Sequence, residues 1–260
     1  MTLLHHALQA GLAPATPTAA APRRLLVIGA GGALGSAVLE RLLADAAWSR
    51  VATLVIRPVE VAMRGLQAWP HDAAGGWQRP ADLPWAPDTA VLVFDRERGR
   101  HGREAALLRP DPAQLAAMGR WLRSAGVRRL LLVTPHAPGL LPQALKAGLA
   151  SLDEQALAML GFEQLVLVRP ARLGGEAGTE RHWGRRIARA LLAQLHWMVP
   201  QREQPLRPVK VAAFVAELAR ALPQLPVGTR VVPPELLWQW AQPEGGGAAV
   251  LQAWLGPQPG

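Results

Sequence analysis

The stretch Arg24-Leu25-Leu26-Val27-Ile28-Gly29-Ala30-Gly31-Gly32-Ala33-Leu34-Gly35 decides how this chain folds. Its first five residues are a short, mostly apolar run that reads as a buried strand, and glycines follow at 29, 31, 32 and 35. From Ala33 to Leu43 the apolar residues Ala37, Val38, Leu42 and Leu43 fall on one helical face. Val51 to Ile56 then supplies a second buried strand, which completes a strand-turn-helix-strand unit of about thirty residues. Glycines 29, 32 and 35 satisfy Gly-x-x-Gly-x-x-Gly, and 29, 31 and 35 the looser Gly-x-Gly-x-x-x-Gly. A turn without Cβ atoms lets a pyrophosphate approach free backbone N–H groups at the positive end of the following helix. The stretch therefore points to nucleotide binding. The alternative is a turn that serves only to pack strand on helix.

Working outward, Leu66 to Trp69 reads as a short strand before a segment broken by Pro70, Gly75-Gly76, Pro80 and Pro84. Ala90 to Phe94 is a strand, followed by an arginine-rich loop from Asp95 to Arg103. A helix is predicted from Pro112 to Ala125, with Asp111 as N-cap and Gly126 as C-cap. Val127 to Val133 is the next strand, Leu141 to Leu160 a long helix closed by Gly161, and Glu163 to Val168 a strand ending at Arg169-Pro170. Helices are expected over Glu180–Trp197 and Val209–Leu222, a strand over Thr229–Val232 and a short helix over Pro234–Trp240. This alternation predicts an α/β fold, a Rossmann-like doubly wound parallel sheet with a small C-terminal helical cap. The expected organisation is a flexible leader over 1–22, a single domain over 23–243 and a loosely held tail over 244–260.

Composition narrows the chemistry. With no cysteine among 260 residues there is no disulfide, thiolate nucleophile or cysteine-ligated zinc. The seven histidines are scattered, without the spacing of a metal site. No apolar run reaches the roughly 18 residues of a membrane span, and the N-terminus lacks the basic start of a secretory signal. A soluble, cytoplasmic protein is the expectation. The formal charge of +9 raises the possibility of nucleic-acid binding through Arg96, Arg98, Arg100 and Arg103 or Arg181, Arg185, Arg186 and Arg189. The arginines are spread along the chain, and a solvated surface with some cofactor phosphate contacts is the preferred reading over a nucleic-acid partner.

The end of the second strand selects between nicotinamide cofactors, because an acidic group there bonds the adenosine ribose and a basic one pairs with a 2′-phosphate. Arg57 stands there, 22 residues after Gly35, and its donor fork suits phosphate. NADP(H) is thus favoured over NAD(H), with Glu60 nearby as a residue of opposite tendency and a plain surface arginine as the alternative.

Several ordered segments resemble the atypical short-chain dehydrogenase/reductases, especially the NmrA-like branch and the Tat-interacting-protein type of oxidoreductase. They are the turn Ile28 to Gly35, Val55-Ile56-Arg57, Leu130-Leu131-Leu132-Val133-Thr134, Leu160-Gly161-Phe162-Glu163 running into Val168-Arg169-Pro170, and Arg207-Pro208-Val209 with Val211-Ala212. The resemblance spans about Arg24 to Trp240. It implies a nicotinamide cofactor held by Gly29, Ala30, Gly31, Gly32, Leu34, Gly35, Arg57, Thr134, Lys146 and Pro170. It also implies a catalytic hydroxyl at Thr134 and a catalytic lysine at Lys146. In such proteins a tyrosine four residues before the lysine donates the proton. This chain has no tyrosine at all, and Pro142 stands at that position. His136 is the one nearby residue that titrates in a useful range. Two readings follow: a reductase-like enzyme with impaired or rerouted chemistry acting on a small-molecule substrate, and a non-catalytic dinucleotide-sensing regulator or assembly factor with a protein partner.

Overall fold

A computed structural model describes residues 22–59, 65–72, 75–77, 83–95, 104–134, 152–170, 206–242 and 246–256. Strand β1 (Arg24–Ile28) leads through the glycine turn into helix α1 (Ala33–Leu43), and β2 (Arg50–Val55) and β3 (Leu66–Pro70) follow. After β4 (Thr89–Val93) a 3-10 turn (Pro112–Gln114) opens helix α2 (Leu115–Ser124), then come β5 (Arg129–Val133), α3 (Leu152–Ala158) and β6 (Gln164–Val168). Helix α4 (Pro208–Ala221), strand β7 (Gly228–Val232) and helices α5 (Pro234–Ala241) and α6 (Gly247–Leu255) complete the described chain. The seven strands form one sheet in the order β3-β2-β1-β4-β5-β6-β7, every pairing parallel. The sheet is Rossmann-like. Its order reverses between β1 and β4, and in open α/β sheets ligands bind in the crevice at the carboxyl ends of such strands.

The period-two alternation of strand side chains divides the core into two layers. Leu25, Val27, Val91, Val93, Leu131, Val133, Val166 and Val168 point to the face covered by α1, α4, α5 and α6. Leu26, Ile28, Leu54, Ala90, Leu92, Leu130, Leu132, Leu165 and Leu167 point to the face covered by α2 and α3. Because both faces are buried, these strands are continuous apolar runs rather than alternating ones. Asp111 caps the turn before α2 by accepting from the Ala113 N–H at 3.0 Å, and Gly126, at φ 100°, ends that helix. The N-cap expectation holds, and the helix ends one residue earlier than expected, with Ala125 as C-cap and Gly126 just beyond it. Trp48, Trp69, Trp85 and Trp121 are buried in the two layers, where they supply aromatic volume.

One expectation is corrected. The tail read as loosely held contains α6, whose Leu251 and Leu255 are buried in the same layer as α4 and α5. Gly247, Val250, Leu251, Trp254 and Leu255 share a helical face, a stripe too short to stand out among glycines and alanines. Arg230 of β7 lies over the Trp254 ring, 5.7 Å from its centroid. The cap is therefore a helical pair. The leader, the helix expected over 180–197 and the first part of the helix expected over 141–160 lie outside the described residues.

At the end of β3 the half-buried His71 stacks on Trp77, with ring centroids 4.5 Å apart, and meets Trp121 edge-on at 6.3 Å. Burial lowers its pKa, and the nearby Asp72 carboxylate offsets this in part. A histidine with a lower pKa folded than unfolded binds fewer protons in the native state. Stability is thus complete above the unfolded value near 6.5 and falls as pH drops from there through the folded value. Urea titrations from pH 7.5 to 5 will show this loss, and His71→Gln will flatten the profile relative to wild type; coincident profiles contradict the assignment.

Candidate functional site

The glycine turn lies at the sheet's switch point and is shaped by close contacts. Gly29 adopts φ 90°, and a Cβ there would run into the Val93 carbonyl oxygen of β4. A Cβ on Gly35 would run into the Gly29 carbonyl oxygen. These two positions press β1, α1 and β4 together as only glycine allows. The helix then begins without help from its own sequence. Gly32 is the N-cap, in extended backbone, and the first turn of α1 contains no acidic residue. Its leading N–H groups have no intrahelical acceptor. One of them, the Leu34 N–H, donates to Oδ2 of Asp95 at 2.7 Å. Asp95 arrives from just beyond β4, 61 residues away.

A backbone amide at the amino end of α1 thus takes a carboxylate oxygen, as the positive end of the helix dipole favours. Gly32 has the same meaning, for its missing Cβ leaves space into which the Asp95 side chain fits, 2.6 Å from Cγ and 2.7 Å from Cβ to where a methyl would stand. The hollow that remains is about 10 Å³, lined by Gly29, Gly31, Gly32, Val93, Asp95, Arg109 and Pro110. It holds about one water.

The other residues singled out from sequence fall around the same sheet edge. Ala30 and Leu34 are buried in the core layer under α1, where their side chains pack while their backbone carries the turn. Arg57 is exposed, two residues beyond β2, at the carboxyl end of the strand next to β1. Thr134 follows β5 directly and is half-buried; its N–H donates to the Val168 carbonyl at 3.0 Å. Pro170 is buried just past β6. Lys146, Pro142, His136, Glu60 and the Arg96, Arg98, Arg100 and Arg103 cluster lie outside the described residues.

Beside the turn opens a cavity of about 510 Å³, lined among others by Phe94, Asp95, Arg109, Thr134, Asp153 and Glu154. It follows the carboxyl ends of β4 and β5, so Asp95 and Arg109 border both the glycine turn and the larger space. The Arg109 guanidinium donates to the Asp95 carbonyl oxygen at 3.2 Å. Sequence reasoning missed the roles of Asp95, Arg109 and Glu154. Of these, only Asp95 carried a local signal, as a carboxylate at the end of a strand that would neighbour the glycine turn.

Behind the cavity, Glu154 of α3 and Arg169, between β6 and Pro170, form a buried ion pair, their side chains 8% and 7% exposed. A pair so enclosed fixes α3 against the end of β6, because either charge left without its partner would be costly.

No protein-family model matches the chain, and no curated protein matches it. Among solved structures, the chain is similar to the PhqB reductase domain from Penicillium fellutanum, with 16% identity and a TM-score of 0.47 over 84% of this chain and 70% of that one. It is similar to the oxidoreductase ylbE from Lactococcus lactis, with 13% identity and a TM-score of 0.48 over 83% and 95%. It is also similar to the Bordetella bronchiseptica enzyme WbmG in complex with NAD and UDP, with 16% identity and a TM-score of 0.45 over 85% and 79%. At these identities and TM-scores the likenesses assign no substrate or cofactor to this chain, and the fold assignment rests on the strand order.

The ion pair supplies a test of how the cavity wall is held. Glu154→Ala, which removes one member of the buried pair, should lower stability by about 3–5 kcal/mol in urea denaturation. Adding Arg169→Met should recover much of that loss. A single variant as stable as wild type contradicts the role given to the pair.

Proposed function

We propose that the chain binds a nicotinamide dinucleotide, NADP(H) in preference to NAD(H), in the manner of an atypical short-chain dehydrogenase/reductase of the NmrA-like type. The observation that carries the reading is the glycine turn at the β1/β4 switch point, whose Leu34 amide already holds an oxyanion. The backbone of Gly31, Gly32 and Leu34 would hold the pyrophosphate, Arg57 the 2′-phosphate, and Thr134 and Lys146 the nicotinamide ribose side. Such a cofactor supplies hydride transfer, and the protein supplies orientation and proton management. Arg57 suits the phosphate because it is exposed at the strand end and presents a planar donor fork. A cytoplasmic location agrees with the lack of cysteine. Among the described residues no helix is long and apolar enough to cross a membrane.

The absence of any tyrosine favours a second reading beside the enzyme. A protein that keeps the phosphate turn but lacks the ordinary proton donor is suited to sensing the dinucleotide, as a regulator or assembly factor. The enzyme reading needs a reaction in which Lys146 and Thr134 suffice.

Calorimetric titration with NADPH and NADH distinguishes these possibilities. NADPH is expected to bind more tightly, and Arg57→Asp should weaken it about tenfold or more, the scale of one charge-assisted contact, while leaving NADH nearly unchanged. Turnover of a carbonyl panel that Lys146→Ala abolishes identifies an enzyme, whereas binding without turnover identifies a sensor. Failure of both dinucleotides to bind, with Asp95 intact and with Asp95→Asn, overturns the proposal.

A further inference from the structure

We infer that Asp95 sets the affinity of the glycine turn for phosphorylated ligands: its carboxylate holds the place a ligand's phosphate oxygens would take, and such a ligand binds by displacing it. The inference rests on the dinucleotide reading above and adds a residue that reading does not contain. Three observations converge on it. The Oδ2 of Asp95 accepts the Leu34 N–H at 2.7 Å, so the donor that would serve a pyrophosphate is engaged by an anion of the chain itself. The space made by the missing Cβ of Gly32 is filled by the Asp95 side chain, where a phosphate turn would leave room for its ligand. The hollow left against the turn, about 10 Å³, has room for about one water and not for a phosphate group.

The electrostatics point the same way. Helix α1 brings no acidic residue in its first turn and no side-chain cap, so Asp95 is its N-terminal counter-charge. A second anion arriving there meets both a filled donor and a like charge. For the ligand to enter, Asp95 has to turn away from Leu34. The larger cavity, which Asp95 also borders, gives its side chain a direction to go. The ligand class is therefore phosphate-bearing, with the strength of binding set by how readily this one carboxylate leaves.

Asp95→Asn keeps the size of the side chain and removes its charge, and Asp95→Ala removes the occupant. NADPH and inorganic pyrophosphate are titrated calorimetrically into full-length wild type and both variants. Both variants are expected to bind NADPH at least tenfold more tightly than wild type, with pyrophosphate shifted in the same direction. Equal NADPH affinity in the three proteins overturns the inference and leaves the dinucleotide reading standing. No binding to any of the three overturns both. A ligand-free measurement tests the geometry alone: Gly32→Ala should lower the melting temperature of wild type substantially and that of Asp95→Ala much less. Equal losses in the two backgrounds would mean that Asp95 does not fill the space beside Gly32, and the inference falls.

Discussion

The close passage of Gly35 against the Gly29 carbonyl, with Gly29 itself against the Val93 carbonyl, is the constraint on which the rest of this molecule depends. No side chain fits at either contact, and Gly29 also sits at a backbone angle that other residues adopt only with strain. Because the turn is so tight, α1 starts directly above the carboxyl ends of β1 and β4. Its leading amides, which have no acceptor within the helix, then face the crevice where the strand order reverses. The site is assembled around that placement: Asp95 and Thr134 reach the crevice from the ends of β4 and β5, and Arg109 and, from α3, Asp153 and Glu154 close it from outside the sheet.

Charge gives the site its character. The Asp95 carboxylate on the amino end of α1 and Glu154, paired with the buried Arg169, both border a cavity that Phe94 and Thr134 help to line. The pair is a fixed element, since burial makes separation of its charges expensive. Asp95 is of a different kind: its carbonyl oxygen accepts from Arg109, and its carboxylate accepts from the Leu34 amide at the mouth of the cavity. The structure thus combines an immobile wall with one anion whose position decides whether another anion can bind.

The part of this that could be read in the sequence is the part made by neighbours along the chain. The β1-turn-α1 unit, the position of Arg57 after β2 and the caps at Asp111 and Gly126 depend on short-range geometry, and local residue patterns express them. The Asp95–Leu34 contact, between residues 61 apart, depends on β4 lying beside β1, a pairing that no local pattern records. The Glu154–Arg169 pair likewise exists only because α3 packs over the end of β6. Helix α6 was missed for another reason: its glycines and alanines carry little hydrophobic contrast, and the burial of Leu251 and Leu255 against the α4 and α5 layer is what holds it. The pairing of Thr134 with Lys146, taken from family resemblance, lies partly outside the described residues.

The central claim, that the amino end of α1 is a phosphate seat, is tested most directly by amide chemical shifts. In an isotope-labelled sample titrated with NADPH, the backbone N–H signals of Gly31, Gly32, Ala33 and Leu34 should move most, saturating together with Arg57. Saturable shifts that leave these four amides unchanged, or no saturable shifts in either wild type or Asp95→Asn, would contradict it.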